Sequence, residues 1–233
     1  MIVSGIEIEV IKKNIKNMHL YVFPPMGNVR ISAPNNASDD AINLFAITKI
    51  SWIKKQIKNF ENQPRQSERE YVSGESHYIW GRRYKMEIKY TKTKNNVEIK
   101  ANKLVLTVRE NSTEQQRENV MKEWYRAEIK AKLPALIEKW EDTIGVKANS
   151  VGVKKMLTRW GTCNVEDKKV WVNLQLAKKP VNCLEYIVVH ELVHLLEKNH
   201  TNVFVEYMDK FLPDWRIVKE ELNSFIMDRY LQE

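Results

Sequence analysis

Hydrophobic and polar residues alternate near the start of the chain. Ile6, Ile8 and Val10 are separated from one another by glutamates. A period of two predicts a β-strand in a sheet with one face in solvent. Two further short segments with strand character, at 20–23 and 29–32, follow after short breaks. We therefore expect a small sheet in this part of the chain.

The pattern then changes to helical spacing. Ser38, Asp39 and Asp40 are typical of a helix start, because serine caps the first amide groups and acids favour the positive end of the helix dipole. Apolar residues between Ile42 and Phe60 recur at helical intervals, as on one face of a helix. The sequence predicts a single amphipathic helix here.

Beyond this helix, the chain is predicted to change repeatedly between strands and helices. The expected elements are a second β-rich stretch (Tyr78 to Val108), a long helix (about Thr113 to Asp142), strands (Val151 to Trp160 and Val170 to Leu176) and three helices from Val181 onwards. The sequence shows no internal repeat. The sequence predicts an α+β fold. A β-rich region with one helix would span residues 1–110, and a second region would span residues 111–233. The two regions would form either two parts or one continuous domain.

The charge of the 233-residue chain changes this picture little, but it suggests a kind of partner. The formal net charge is +8. Residues 1–180 hold 33 basic and 20 acidic side chains, whereas residues 181–233 hold 5 and 10. A basic surface favours association with anions such as nucleic acid or nucleotides. The upstream region is the candidate for such a surface.

Membrane insertion and export are not expected. The longest uncharged stretch, Asn17 to Val29, has 13 residues, and a spanning helix needs about 20. Glutamates at positions 7 and 9 interrupt any apolar signal-peptide core. Cys163 and Cys183 are the two cysteines, too few for a disulfide scaffold. We expect a reduced, cytoplasmic protein without a membrane partner.

The strongest chemical signal is a cluster of histidines. His190, Glu191 and His194 form a His-Glu-x-x-His motif in an apolar segment. On a helix, residues four apart lie on one face with about 5–6 Å between their Cβ atoms, so two imidazoles can bind one zinc ion. The intervening glutamate can then act on a zinc-bound water as the catalytic base.

A catalytic zinc site needs a third protein ligand. His200 is the candidate, but on a continuous helix it would lie about 120° away from the face of His194. The helix must therefore end first, and Lys198-Asn199 is a suitable place because asparagine tolerates the left-handed conformation. Glu206 and Asp209 are the competing third ligands.

Other motifs connect these residues to a known family. They are Thr158-Arg159-Trp160-Gly161-Thr162-Cys163, Asn173-Leu174, Pro180, Tyr186 through His194, Asn199-His200, Phe204 and Pro213-Asp214-Trp215. Together they resemble the YgjP-like metal-dependent hydrolases, which are zincin-type proteins distantly related to SprT-like proteases. The family commonly shows Arg-Trp-Gly-Ser-Cys, and Thr162 here takes the place of the serine.

The resemblance implies a fold and a site. The fold would be a β-rich N-terminal part packed on a zincin-like C-terminal part with an active-site His-Glu-x-x-His helix. His190, His194 and His200 would hold the metal, and Glu191 would be catalytic. The segment that contains Arg159, Trp160 and Cys163 would lie near the active site, as candidate substrate-binding or supporting residues.

Three functional hypotheses follow. The leading one is a zinc-dependent metallopeptidase that cleaves peptides or proteins, with the strand at Val170 to Leu176 as the sheet edge that holds the substrate. The second is a nucleoside triphosphate pyrophosphohydrolase, an activity linked to members of the family that the chain resembles. This activity would favour magnesium or manganese as the metal. The third is a nucleic-acid-associated protease, suggested by the basic and aromatic residues between Tyr78 and Lys85.

Overall fold

The computed structural model describes residues 1–23, 27–62, 69–156 and 158–224. The described residues form two compact units, one up to residue 62 and one from residue 69 onwards. Each unit combines a β-sheet with helices, so the fold is mixed α+β. The boundary predicted between residues 110 and 111 lies inside the second unit.

The first unit contains a four-stranded sheet followed by two helices. Its strands and helices are β1 (Ile2–Val3), β2 (Ile6–Lys13), β3 (His19–Phe23), β4 (Asn28–Pro34), α1 (Asp39–Thr48) and α2 (Ile50–Asn62). The strand order is β1-β2-β4-β3, and β2 runs parallel to β4. Its core consists of aliphatic side chains from the sheet and the helices.

The predicted single helix of this unit is two helices. Ser38 caps α1 as expected, because its hydroxyl accepts the backbone N–H of Ala41 at 3.2 Å. Lys49 leaves the helical conformation at ψ 3° and ends α1. Apolar spacing alone missed this break, because the apolar positions continue from α1 into α2.

The second unit begins with another four-stranded sheet and a long helix. These elements are β5 (Ser76–Ile79), β6 (Arg82–Tyr90), β7 (Asn96–Lys100), β8 (Lys103–Val108) and α3 (Glu114–Ile144). The strand order is β5-β6-β8-β7, with β6 parallel to β8. The chain therefore repeats the topology of the first sheet, although the sequence showed no repeat.

The remaining elements of the second unit surround one buried helix. They are β9 (Ser150–Lys154), β10 (Gly161–Asn164), β11 (Lys169–Asn173), a 3₁₀ turn (Leu174–Lys178), α4 (Val181–Val193), α5 (Asn202–Phe211) and α6 (Trp215–Ser224). Helix α4 is apolar on nearly all sides and belongs to the main hydrophobic core. Its neighbours therefore fix its position closely.

The small sheet of this unit corrects one prediction. Its strand order is β10-β11-β9, so the strand expected at Val170 to Leu176 corresponds to β11, which is central. Both sides of β11 are occupied by hydrogen-bonded neighbours, and β11 cannot offer a free edge to a peptide. The two edge strands of this sheet are β10 and β9. Sequence patterning missed β10, which has only four residues.

Among the described residues, no helix combines the length and the apolar character needed to cross a lipid bilayer.

Candidate metal centre and active site

The His-Glu-x-x-His motif lies at the C-terminal end of α4. His190 is in the last turn of this helix, and His194 is its C-cap. The helix therefore ends several residues before the predicted stop at Lys198-Asn199. The early end allows the chain to turn back, so that His200 reaches the other two histidines.

The three imidazoles converge on one point. One ring nitrogen from each of His190, His194 and His200 lies within 4.8 Å of the others. The Nε2 atoms of His190 and His200 are 3.1 Å apart. Two such nitrogens approach this closely only with a proton or a cation between them, because their lone pairs repel. Three imidazole nitrogens also form a ligand set that suits zinc.

The hydrogen bonding of His194 prepares it as a ligand. Its Nδ1 lies 3.1 Å from the carbonyl oxygen of Glu197, and a carbonyl can only accept a hydrogen bond. Nδ1 therefore carries the hydrogen, and Nε2 keeps a free lone pair. This orientation of one ring nitrogen by a neighbouring acceptor is common in metal-binding histidines.

Burial keeps the imidazoles of the helix uncharged. It lowers the pKa of His190 to about 3, with a further contribution from the neighbouring His194 and His200. Burial also lowers the pKa of His194. A metal ligand must be neutral imidazole, so these two residues are in the binding form at neutral pH.

Glu191 is buried beside the histidines, with 4% of its surface exposed. Burial raises the pKa of its carboxyl to about 8, and the positive charge of Arg159 opposes this increase. The side chain lies against Gly161 of β10: a Cβ atom at Gly161 would be 2.4 Å from Oε1 of Glu191 and 2.7 Å from Cγ2 of Ile187. Only glycine allows the strand to approach the carboxylate this closely.

These residues form the floor of an open groove with a volume of about 890 Å³. Arg159, Trp160 and Cys163, the candidate substrate-binding or supporting residues, all line it. Lys198 and Lys219 also line the groove, so three basic side chains face it together with Arg159. Neither lysine was predicted to belong to the site.

Asn173 fixes the segment that carries Arg159 and Trp160. Its fully buried side-chain amide donates to the carbonyl oxygens of Met156 and Arg159, at 2.9 and 2.7 Å. Its backbone N–H donates to the carbonyl oxygen of Trp160 at 2.8 Å. The start of β10 is thereby held in place beside α4.

The two competing candidates for the third metal ligand, Glu206 and Asp209, lie outside the histidine cluster. Asp209 accepts a hydrogen bond from Nε1 of Trp215 at 2.7 Å and forms an ion pair with Arg216. Arg216 holds the pKa of Asp209 below its usual range. Glu206 is exposed on α5. The described residues thus bring His200, and neither carboxylate, to the other two histidines.

The two cysteines are free thiols with different surroundings. Cys163 lines the groove, and burial together with the charge of Glu191 raises its pKa to about 11. Cys183 is fully buried in α4. Neither thiol belongs to the histidine cluster.

The basic and aromatic segment lies on the hairpin formed by β5 and β6. Arg82, Arg83 and Lys85 are exposed on β6. The indole of Trp80 is already engaged, since its Nε1–H donates to Glu128 at 3.1 Å and Lys132 lies over its ring. This ring is not free to stack on a base.

Comparison with known proteins identifies the family of this chain. Residues 16–225 match the family described as YgjP-like, metallopeptidase domain. This chain belongs to the YgjP-like family. It is therefore a metal-dependent hydrolase of the metallopeptidase type, and the expectation drawn from its motifs is confirmed. The nucleotide hypothesis gains no support from this match.

Other comparisons add less to the YgjP-like assignment. The crystal structure of the metallopeptidase zymogen of Pyrococcus abyssi abylysin is one structural match. The matched region covers 38% of this chain and 90% of the abylysin chain, with 17% sequence identity and a TM-score of 0.36. No curated protein matches the chain.

Two groove residues of this YgjP-like chain had no role assigned from the sequence. Gly161 and Tyr186 both lie within the motifs that carry the resemblance. The spacing of Tyr186, four residues before His190, puts the two on one helix face. For Gly161 the only signal was its place in the segment expected near the site, because contact between β10 and α4 is a property of the folded chain.

Proposed function

We propose that this metal-dependent peptidase uses zinc, with His190, His194 and His200 as ligands and Glu191 as the general base and acid. The observation that carries this proposal is the convergence of three ligand nitrogens within 4.8 Å, next to a buried carboxylate at the floor of a groove. The same nitrogen ligands bind other divalent metals, but imidazoles suit zinc better than they suit magnesium.

A bound zinc ion would supply Lewis acidity, which polarises the scissile carbonyl and makes water more acidic. Glu191 takes a proton from the attacking water and later gives it to the leaving amine. A carboxyl group whose pKa is near neutral can perform both transfers. Its buried position also limits competition from bulk water.

The substrate is an extended peptide bound along β10. The residues of β10 pair with β11 on one side only, so the other side offers main-chain groups to a further strand. Edge strands commonly bind peptides by adding a strand to the sheet. Because Gly161 contacts the side chain of Glu191, a peptide on this edge passes close to the catalytic carboxylate.

Metal analysis and peptide cleavage of two variants test this function. Glu191→Gln should retain the metal and lose activity by at least about 100-fold, since it removes the proton acceptor. His194→Ala should lose both the metal and the activity. Glu138→Gln, an exposed position on α3, is the matched control and should behave as the wild-type protein. Full turnover by Glu191→Gln would overturn the mechanism.

The choice of metal is tested separately. Purified protein is stripped with a chelator and reloaded with zinc, manganese or magnesium before assay on a fluorogenic peptide library. Zinc should restore cleavage best. Restoration by magnesium alone would contradict a zinc site.

A further inference from the structure

Tyr186 is a buried residue of the groove that the proposed mechanism does not use. It lies on α4, one helical turn before His190, and 4% of its surface is exposed. Its ring packs edge-on against the ring of His190, with centroids 5.8 Å apart. It also lines the groove that contains Glu191.

The hydroxyl of Tyr186 has no hydrogen-bond partner among the described residues. Buried tyrosine hydroxyls are normally paired, and Tyr125, which is also 4% exposed, donates to the carbonyl oxygen of Tyr78 at 3.0 Å. In the described parts of the chain, the side-chain polar atoms that are sealed from solvent and lack a hydrogen bond belong to Glu75, His77 and His190. The Tyr186 hydroxyl is therefore unpaired and open to the groove.

The ring of Tyr186 is held in place by its neighbours. It stacks on Trp215 with an interplanar angle of 11° and centroids 6.4 Å apart. Trp215 is fixed in turn by its hydrogen bond to Asp209 at 2.7 Å. A donor that is held in advance needs little reorganisation when negative charge develops beside it.

We propose that the Tyr186 O–H donates a hydrogen bond to the scissile carbonyl oxygen of the substrate as negative charge develops there. The proton stays on the phenol, so no covalent change at Tyr186 is required. This inference rests on the proposed peptidase function of the same groove. It adds a catalytic residue that neither the histidine motif nor the family match assigns.

Tyr186→Phe is the test, because it removes the hydroxyl and keeps the ring stacked on Trp215. The kcat for peptide cleavage should fall about 100-fold, as for the loss of one donor to a developing oxyanion. KM and zinc content should change by less than about twofold. Tyr207→Phe on α5, whose ring stacks on Phe211, is the matched control and should retain wild-type kinetics.

A binding measurement supplies a readout apart from turnover. A phosphinic peptide carries a charged tetrahedral group in place of the scissile amide. Its affinity for zinc-loaded Tyr186→Phe, measured by calorimetry, should fall at least about tenfold, whereas the affinity for Tyr207→Phe should not change. Equal affinity for the wild-type protein and Tyr186→Phe would overturn the inference, as would a rise in KM with unchanged kcat.

The outcomes also separate this inference from the proposed function. An active wild-type enzyme with an equally active Tyr186→Phe variant contradicts only the role of the tyrosine. If the wild-type protein neither cleaves peptides nor binds the phosphinic peptide, the proposed function and this inference are both wrong.

Discussion

The two four-stranded sheets have the same topology but different surroundings. In each, a short first strand pairs antiparallel with the second, the second runs parallel to the fourth, and the third is the outer partner of the fourth. Each opens with a two-residue turn in which both residues have positive φ: Ser4-Gly5 in the first sheet and Trp80-Gly81 in the second. Such turns match the twist of paired strands.

The difference lies in what each turn contacts. A Cβ atom at Gly5 would meet nothing within 4 Å, whereas one at Gly81 would be 2.9 Å from Cγ of Pro180. Pro180 is the N-cap of α4, directly before its first residue. The backbone N–H of Trp80 also donates to the carbonyl oxygen of Ala177 at 2.8 Å.

The second sheet thus supports the start of the helix that carries His190 and Glu191. The first sheet has its own core. The described residues that line the groove belong to the second unit. In the second unit, this arrangement of strands contacts the N-terminal end of the helix that carries the proposed site residues. The close approach of Gly81 to Pro180 and the backbone hydrogen bond of Trp80 make this difference, and topology does not.

Gly161→Ala should have the largest effect, because it disturbs the site while leaving both sheets intact. The added methyl group would collide with Glu191 and Ile187, at 2.4 and 2.7 Å. Displacing a catalytic group by about 1 Å can cost about 100-fold in rate, so kcat should fall by roughly that factor. Steady-state kinetics and metal analysis check this, with zinc content expected to stay unchanged.

The control for this variant is Gly145→Ala at the end of α3. Unlike Gly161, Gly145 has a positive φ, and the space around it is open. It should lose some stability and keep its kcat. A fully active Gly161→Ala enzyme would contradict the close packing of β10 against Glu191.

Gly81→Ala and Gly5→Ala compare the two turns directly. Both substitutions put a side chain at positive φ, which costs about 1–2 kcal/mol. At Gly81 the contact with Pro180 adds about 1–3 kcal/mol of overpacking. Denaturant unfolding with residue-resolved hydrogen exchange should show the greater loss of stability for Gly81→Ala, centred on residues 76–90. Equal losses for the two variants would mean that the turn–helix contact contributes nothing.

Trp80→Phe should have a smaller effect in the same place. It removes the hydrogen bond between Nε1 and Glu128, which spans 3.1 Å, and a bond to a charged group contributes about 1.5–3 kcal/mol. Because Glu128 is then still able to reach water, we expect a loss near the lower end of that range. Unfolding free energies of Trp80→Phe, Glu128→Gln and the double variant give the coupling energy. Strictly additive losses would show that the two side chains do not interact.

The sequence predicted the parts of the fold and site that depend on local chemistry. Ser38 and Thr113 were recognised as helix starts, and both cap their helices. The spacing of His190, His194 and His200 indicated a metal cluster, and the structure brings these residues together. In each case the pattern lies within a few residues of the chain.

Features that depend on distant contacts were missed. The repeated topology escaped notice because the two sheets share a turn and a strand order but few residues. Strand β10 is short, and its importance comes from its contact with α4. Tyr186 lies in the motif, but only the folded chain shows that its hydroxyl has no partner while that of Tyr125 has one.

The last and smallest effect concerns acid stability, since an ionisable pair lies at the start of the second sheet: the buried His77 on β5 and the half-buried Glu75 directly before this strand. Burial lowers the pKa of His77, and the nearby Glu75 opposes this only in part. Burial would raise the pKa of Glu75, but His77 and Arg69 outweigh it and hold that pKa below its usual range. Both groups therefore bind protons less readily in the folded state than in the unfolded chain.

The stability that this pair contributes is present above the unfolded pKa values and is lost as the pH falls. The loss begins below about pH 6.5 for His77 and below about pH 4.5 for Glu75. Unfolding free energies measured between pH 7.5 and 5 should therefore decrease less in His77→Gln than in the wild-type protein. His19→Gln, an exposed position on β3, should keep the wild-type slope. An unchanged slope in His77→Gln would contradict a lowered pKa of His77 in the folded protein.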